Sequence, residues 1–199
     1  WLRDPGRVPR RPTTTDLGLT MAEFRDFWED RLSREPNLRG TGHRAFDLGY
    51  NELLYRAQRD SLELMLTRHG VEVASKRVLD VGSGTGFYVG FFLEGGAESV
   101  TGVDITRASV EHLQKTFPGC EFCVRDIGSP DIDLAGPFDI ISCLSVLYHL
   151  VDDEQYACAI ANMSDLLSDD GYLLLTDTFR DPLLPPPSHV RFRSLSTYR

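Results

Sequence analysis

The chain has 199 residues, 41% of them apolar and 26% charged, with a formal net charge of −9. That mix excludes a mostly disordered chain, a collagen-like repeat and a small disulfide scaffold, and the length suits one domain with an appended segment. No run reaches the roughly 18 consecutive apolar residues of a membrane span, and the acidic balance argues against a surface that coats nucleic acid, which needs clustered Lys and Arg.

Residues 1–18 open with three prolines, three threonines and four arginines before Asp16 and read as a flexible tail without the apolar core of a signal peptide. Residues 19–75 read as helical. Thr20 and Glu23 have capping-box spacing ahead of Met21, Phe24, Phe27, Trp28 and Leu32, which repeat at helical intervals. That apolar stripe is expected to pack on the main domain rather than line a cofactor. Pro36 to Gly42 reads as a loop. Phe46 to His69 reads as a second helix, with Gly70 as its C-terminal cap.

From residue 76 the period changes. Arg77–Val81, Ser99–Val103, Glu121–Val124, Phe138–Leu144 and Gly171–Asp177 read as strands. Phe87–Leu93, Ala108–Phe117 and Asp152–Leu167 read as helices, with Thr106 capping the second and aspartates opening the third. Strands alternating with helices predict an α/β fold: a Rossmann-like, doubly wound, mostly parallel sheet with helices on both faces. Four cysteines, Cys120, Cys123, Cys143 and Cys158, are present. Cys120 and Cys123 lack the second pair or the histidines that a zinc site needs, so they read as strand residues in a reducing, cytoplasmic setting.

The informative stretch is Val78-Leu-Asp80-Val-Gly82-Ser83-Gly84-Thr-Gly86-Phe87. It lies between a strand and a helix, where a glycine loop lets backbone approach a ligand and the helix N-terminus attracts negative charge. A dinucleotide fingerprint would place a third glycine where Phe87 stands. Asp104 ends the second strand, Asp126-Ile127 follows the third, and Leu144 ends the fourth. These motifs, in this order over Arg77 to Asp177, resemble those of class I S-adenosylmethionine (SAM)-dependent methyltransferases of the small-molecule type.

The resemblance implies a SAM site without a metal, made by Asp80, Gly82, Ser83, Gly84, Gly86, Asp104, Ile105, Asp126, Ile127 and Leu144. In the family the carboxylate at the position of Asp104 accepts from the ribose hydroxyls. The one at Asp126 accepts from the adenine amino group, and Ile105 and Ile127 lie against the ring. The residues after strand four, Leu144-Ser-Val-Leu, lack the Pro-Pro device of base and amide methylases and the acidic cluster of metal-dependent enzymes. The implied reaction is methyl transfer to a small-molecule acceptor by in-line displacement, releasing S-adenosylhomocysteine (SAH). His149, just past strand four where ligands bind in open α/β sheets, is the candidate base, since imidazole titrates near neutrality. The alternative is that it packs on the loop or caps a helix. The helices of 19–75 are expected to form a lid, with Arg44, Tyr50 and Tyr55 facing substrate or cofactor; the alternative is that the tyrosines only pack their helix on the sheet.

The family sheet has seven strands, and the 22 residues after Asp177, Pro185 to Pro187 among them, cannot easily supply strands six and seven. Residues 76–180 are thus expected to be the SAM-binding core and 181–199 an incomplete C-terminal segment, leaving the strand-five edge to a partner or a second copy. Three other readings stay open. These are a non-catalytic SAM-binding module, a nicotinamide-dependent enzyme, against which Phe87 counts, and a protein methyltransferase.

Overall fold

The computed structural model describes residues 21–177 and 190–198. The expected tail, Thr20 of the capping pair and residues 181–189 of the C-terminal segment lie outside the described residues. Within them, β1 (Arg77–Val81), β2 (Ser99–Asp104), β3 (Glu121–Val124), β4 (Phe138–Leu144) and β5 (Leu167–Thr176) form one parallel sheet in the order β3-β2-β1-β4-β5. A parallel sheet is covered on both faces, so its central strands are apolar at nearly every position. Successive residues serve opposite cores. Val78 and Ile140 face one, Leu79 and Ile141 the other.

Three helices cover the first face: α3 (Leu48–His69), α4 (Phe87–Glu94) and α5 (Arg107–Thr116), through Leu62, Leu66, Val89, Phe92, Val110 and Leu113. The second is covered by α6 (Asp153–Leu166), through Tyr156, Ala159, Met163 and Leu166. Side-chain caps set the helix starts. Thr106 accepts from Ser109 N at 3.3 Å, and Asp152 accepts from Glu154 N at 2.9 Å and Gln155 N at 3.0 Å. Gly70 ends α3 with φ of 65°, a left-handed conformation that costs glycine little.

The structure corrects the expected boundaries in three places. The span read as a loop contains α2 (Leu38–Thr41), because Asn37 caps it by accepting from Arg39 N and Gly40 N. Helix α3 starts at Leu48 rather than Phe46, since Asp47 caps it by accepting from Tyr50 N at 2.8 Å. Strand β5 starts at Leu167 rather than Gly171. Leu167 pairs with Phe138, and the register then jumps to Ile140 with Tyr172. The first helix, α1 (Met21–Arg34), lies N-terminal to these elements and packs on α2 and α5. At the far end of the sheet the Asp139 carboxylate accepts from Arg77 N at 2.8 Å, joining β1 to β4 across 62 residues. Residues 190–198 run as coil into a short 3-10 turn, Leu195–Tyr198. Among the described residues no helix is long and apolar enough to cross a membrane.

Candidate active site

The strand order reverses between β1 and β4, and at such a switch point the two neighbouring crossovers leave a crevice at the C-terminal strand ends. A cavity lies there. Its floor comes from Val81 to Thr85 after β1, Val103 to Ile105 after β2, Arg125 to Ile127 after β3 and Leu144 to Val146 after β4.

Glycine makes the first wall possible. Gly82 and Gly84 have φ of 71° and 52°. A Cβ on Gly82 would stand 2.4 Å from Val146 Cγ2, and one on Gly84 2.7 Å from Thr41 Cγ2. Gly82 N and Ser83 N both donate to Val103 O, at 2.8 and 3.1 Å, which ties the loop to β2. Asp104, 8% exposed, fixes the rest. Its Oδ2 accepts from Gly84 N at 2.9 Å, and its Oδ1 accepts from Thr106 N at 2.9 Å and Thr106 Oγ1 at 2.7 Å. A carboxylate oxygen offers two acceptor sites, so one on Oδ2 stays unused by these bonds. Burial pushes the Asp104 pKa up, and the bonds from Thr106 and Gly84 oppose that rise.

Two of the expected SAM-site residues, Asp80 and Gly86, lie outside the cavity lining. Asp80 is buried beneath the loop, where its Oδ1 accepts from Ser142 Oγ; burial pushes its pKa up to about 7. Gly86 caps α4 with φ of 82°, and a Cβ there would meet Leu113 and Phe117 on the opposite side. Ile105, Asp126, Ile127 and Leu144 line the cavity. Asp126 Oδ1 accepts from Gly128 N at 2.9 Å. Arg125 also lines it, while its guanidinium is held at Asp133, with Nη2 at 3.5 Å from Asp133 Oδ2 and Nε donating to Asp133 O at 3.3 Å. Ser145 has φ of 63°, a left-handed backbone that non-glycine residues hold only when their surroundings enforce it. Thr176 Oγ1 enforces it here by accepting from Ser145 N at 2.8 Å.

The opposite wall is aromatic. Phe24, Trp28 and Leu32 of α1 line the cavity, which corrects the expectation that their stripe only packs on the main domain. His149 ends the 3-10 turn Leu147–His149 and lines the cavity among aromatic rings, 5.2 Å from Trp28, 5.7 Å from Phe24 and 4.4 Å from Tyr148 between centroids. Tyr55 lines it too. Its hydroxyl donates to Thr41 Oγ1 at 2.9 Å, and burial raises its pKa. Arg44 and Tyr50 do not join them. Both are exposed, and Tyr50 stacks on Phe46 at 4.1 Å. The reason is Asn51, fully buried, which holds the preceding turn by donating to His43 O and Asp47 O and accepting from His43 N. Phe87, Tyr88 and Arg125 also escaped the sequence reading; Phe24, Trp28 and Leu32, spaced i, i+4, i+8, carried a visible signal. Among the described residues no group of three or more His, Cys, Asp or Glu could hold a metal ion.

Comparison with known proteins agrees with this geometry. Residues 78–171 match the family model described as a methyltransferase domain. A tRNA U34 carboxymethyltransferase of Dichelobacter nodosus is 34% identical over 96 residues, covering 47% of this chain and 30% of that protein. A ubiquinone biosynthesis O-methyltransferase of Pseudomonas aeruginosa is 32% identical over 114 residues, covering 55% of this chain and 47% of that protein. The chain thus spans less than half the length of these two relatives. A magnesium protoporphyrin IX methyltransferase from Synechocystis PCC 6803, crystallised with SAH, superposes with a TM-score of 0.67 at 21% identity, covering 90% of this chain and 86% of that one. Fold and family match agree: residues 78–171 match a methyltransferase domain and lie on a Rossmann-like parallel sheet, the fold of the superposed structure.

Proposed function

We propose that this chain binds SAM at the switch point and carries its methyl group to a small-molecule acceptor, with SAH as the second product. The observation that carries the reading is the joining, in one cavity, of the Gly82–Gly84 loop, Asp104, Asp126 and three aliphatic residues against an aromatic wall. The donor set suits SAM. The glycine loop gives backbone access for the amino-acid end, and Asp104 and Asp126 are acceptors for ribose hydroxyls and the adenine amino group. Ile105, Ile127 and Leu144 offer apolar surface to the ring.

When bound, SAM supplies a methyl group on a sulfonium centre with a good leaving group. The protein's own work is then alignment and exclusion of water. In this reading α1 to α3 form the lid, with Trp28, Phe24 and Tyr55 over the reaction site. His149 takes the proton of an acceptor hydroxyl or amine. The aromatic wall favours an acceptor with planar or apolar surface. Four unpaired cysteines support a cytoplasmic setting. Among the described residues β5 is the edge strand, with Tyr172 46% exposed, which supports a covering segment, second copy or partner.

Calorimetric titration with SAM and with NAD, followed by mass spectrometry for SAH formed over a panel of phenols, carboxylates and amines, tests the reading. We expect SAM to bind, NAD not to bind, and His149→Gln to cut turnover about 100-fold while leaving SAM affinity nearly unchanged. SAM binding without turnover on any acceptor would favour the non-catalytic module. Failure to bind SAM would sink the proposal.

A further inference from the structure

Helix α1 sets Phe24, Trp28 and Leu32 over the cavity, yet apolar packing is not all that holds it there. Glu29, the residue after Trp28, reaches across to α5. Its Oε2 accepts from Arg107 N at 2.7 Å and its Oε1 from Ala108 N at 2.9 Å. These N–H groups belong to the first turn of α5, where no carbonyl one turn back can serve them. Thr106 serves Ser109 N, and Glu29 serves the other two from a different element. A carboxylate at a helix N-terminus is also favoured by the helix dipole, and its hydrogen bonds are charge-assisted.

The other end of this contact is the candidate cofactor wall. Thr106, which precedes Arg107, donates twice to Asp104 Oδ1, and Asp104 Oδ2 accepts from Gly84 N. Glu29 and Asp104 therefore hold consecutive residues of one turn, Glu29 taking Arg107 N and Ala108 N and Asp104 taking Thr106, and Asp104 reaches the glycine loop through Gly84 N. Asp30, the neighbour of Glu29, makes a contrast. Its carboxylate pairs with Arg34 at 2.6 Å within α1 and, among the described residues, ties that helix to no other element.

We infer that Glu29 is a positioning residue, a latch that fixes α1 against the adenosyl end of the cavity, so that ligand departure waits on its release from Arg107 and Ala108. The inference rests on reading the cavity as the SAM site, and the test separates the two. The full chain contains two tryptophans, Trp1 and Trp28. A Trp1→Phe background leaves Trp28 as the sole tryptophan, excited selectively over tyrosine at about 295 nm or longer. Stopped-flow fluorescence then gives SAH association and dissociation rates for Glu29→Ala, Glu29→Gln and the exposed same-helix control Asp26→Ala. Hydrogen exchange on the ligand-free proteins reports protection across residues 21–34.

The latch requires SAH to leave Glu29→Ala about tenfold faster or more, with association unslowed. Glu29→Gln, which keeps an acceptor but not the charge, should fall between, and Asp26→Ala should match the wild type. Exchange should quicken over residues 21–34 and not in β1 or β4. A wild-type dissociation rate in Glu29→Ala, or equal loss of protection in α1 and the central strands, overturns the latch. A wild-type chain that binds no SAH overturns the cofactor reading beneath it, while exchange in the ligand-free protein still decides whether Glu29 holds α1.

Discussion

Asp104 accepts three hydrogen bonds from the protein, so removing its carboxylate does more than delete a ligand contact. In Asp104→Ala, Gly84 N and the two Thr106 donors lose their acceptor in a buried place, at about 1–3 kcal/mol for each group left unpaired. We expect a lowered urea midpoint and SAH binding weakened at least about tenfold by calorimetry. Asp80 shows the opposite side of burial. Its folded-state pKa, near 7, exceeds the ordinary carboxylate value, so the native state holds its proton longer than the unfolded chain does. The sign follows directly: this residue's contribution to stability is fullest at acid pH and falls as pH rises from about 4 to about 7. Asp80→Asn keeps an acceptor for Ser142 and removes the titration. Urea unfolding at pH 5 and pH 8 should show a smaller loss of stability between the two values in the variant than in the wild type.

At the scale of elements, the turn from β1 to α4 depends on Gly82. Alanine there would hold a left-handed backbone, costing about 1–2 kcal/mol, and would press its Cβ on Val146. Gly82→Ala is expected to lower the unfolding midpoint, and Val146→Ala in the same chain should restore part of the loss by removing the clash but not the backbone strain. These elements differ in how far the sequence revealed them. Strands β3 and β4 were legible to the residue because apolar runs in a parallel sheet have few other places to go, and Thr106 and Asp152 announced their helices by chemistry. Helix α2 was hidden because four residues show no periodicity, only the Asn37 cap. The stripe of α1 was legible as a buried face, but periodicity does not say what a face is buried against. Arg44 and Tyr50 looked like ligand groups by type, and only the turn held by Asn51 turns them outward.

Over the whole molecule, stability and ligand occupancy are linked. A ligand that binds only the folded chain adds about 2.7 kcal/mol at 100 times its dissociation constant. SAH at saturating concentration should therefore raise the thermal midpoint by several degrees, whereas NAD should leave it unmoved; differential scanning fluorimetry reads both. The strand order is what makes the linkage global, because the cavity takes its walls from both halves of the sheet.

The pairing of β1 with β4 also has a history in time. Arg77 finds Asp139 only 62 residues later in the chain. At about 5–20 residues per second, the ribosome releases β1 roughly 3–12 s before that partner. For those seconds the nascent protein has its glycine loop but only half a cradle, and one edge of its central strand is open to any neighbour. Chains stalled before residue 138 should accordingly carry the whole signature motif and still fail to retain SAH.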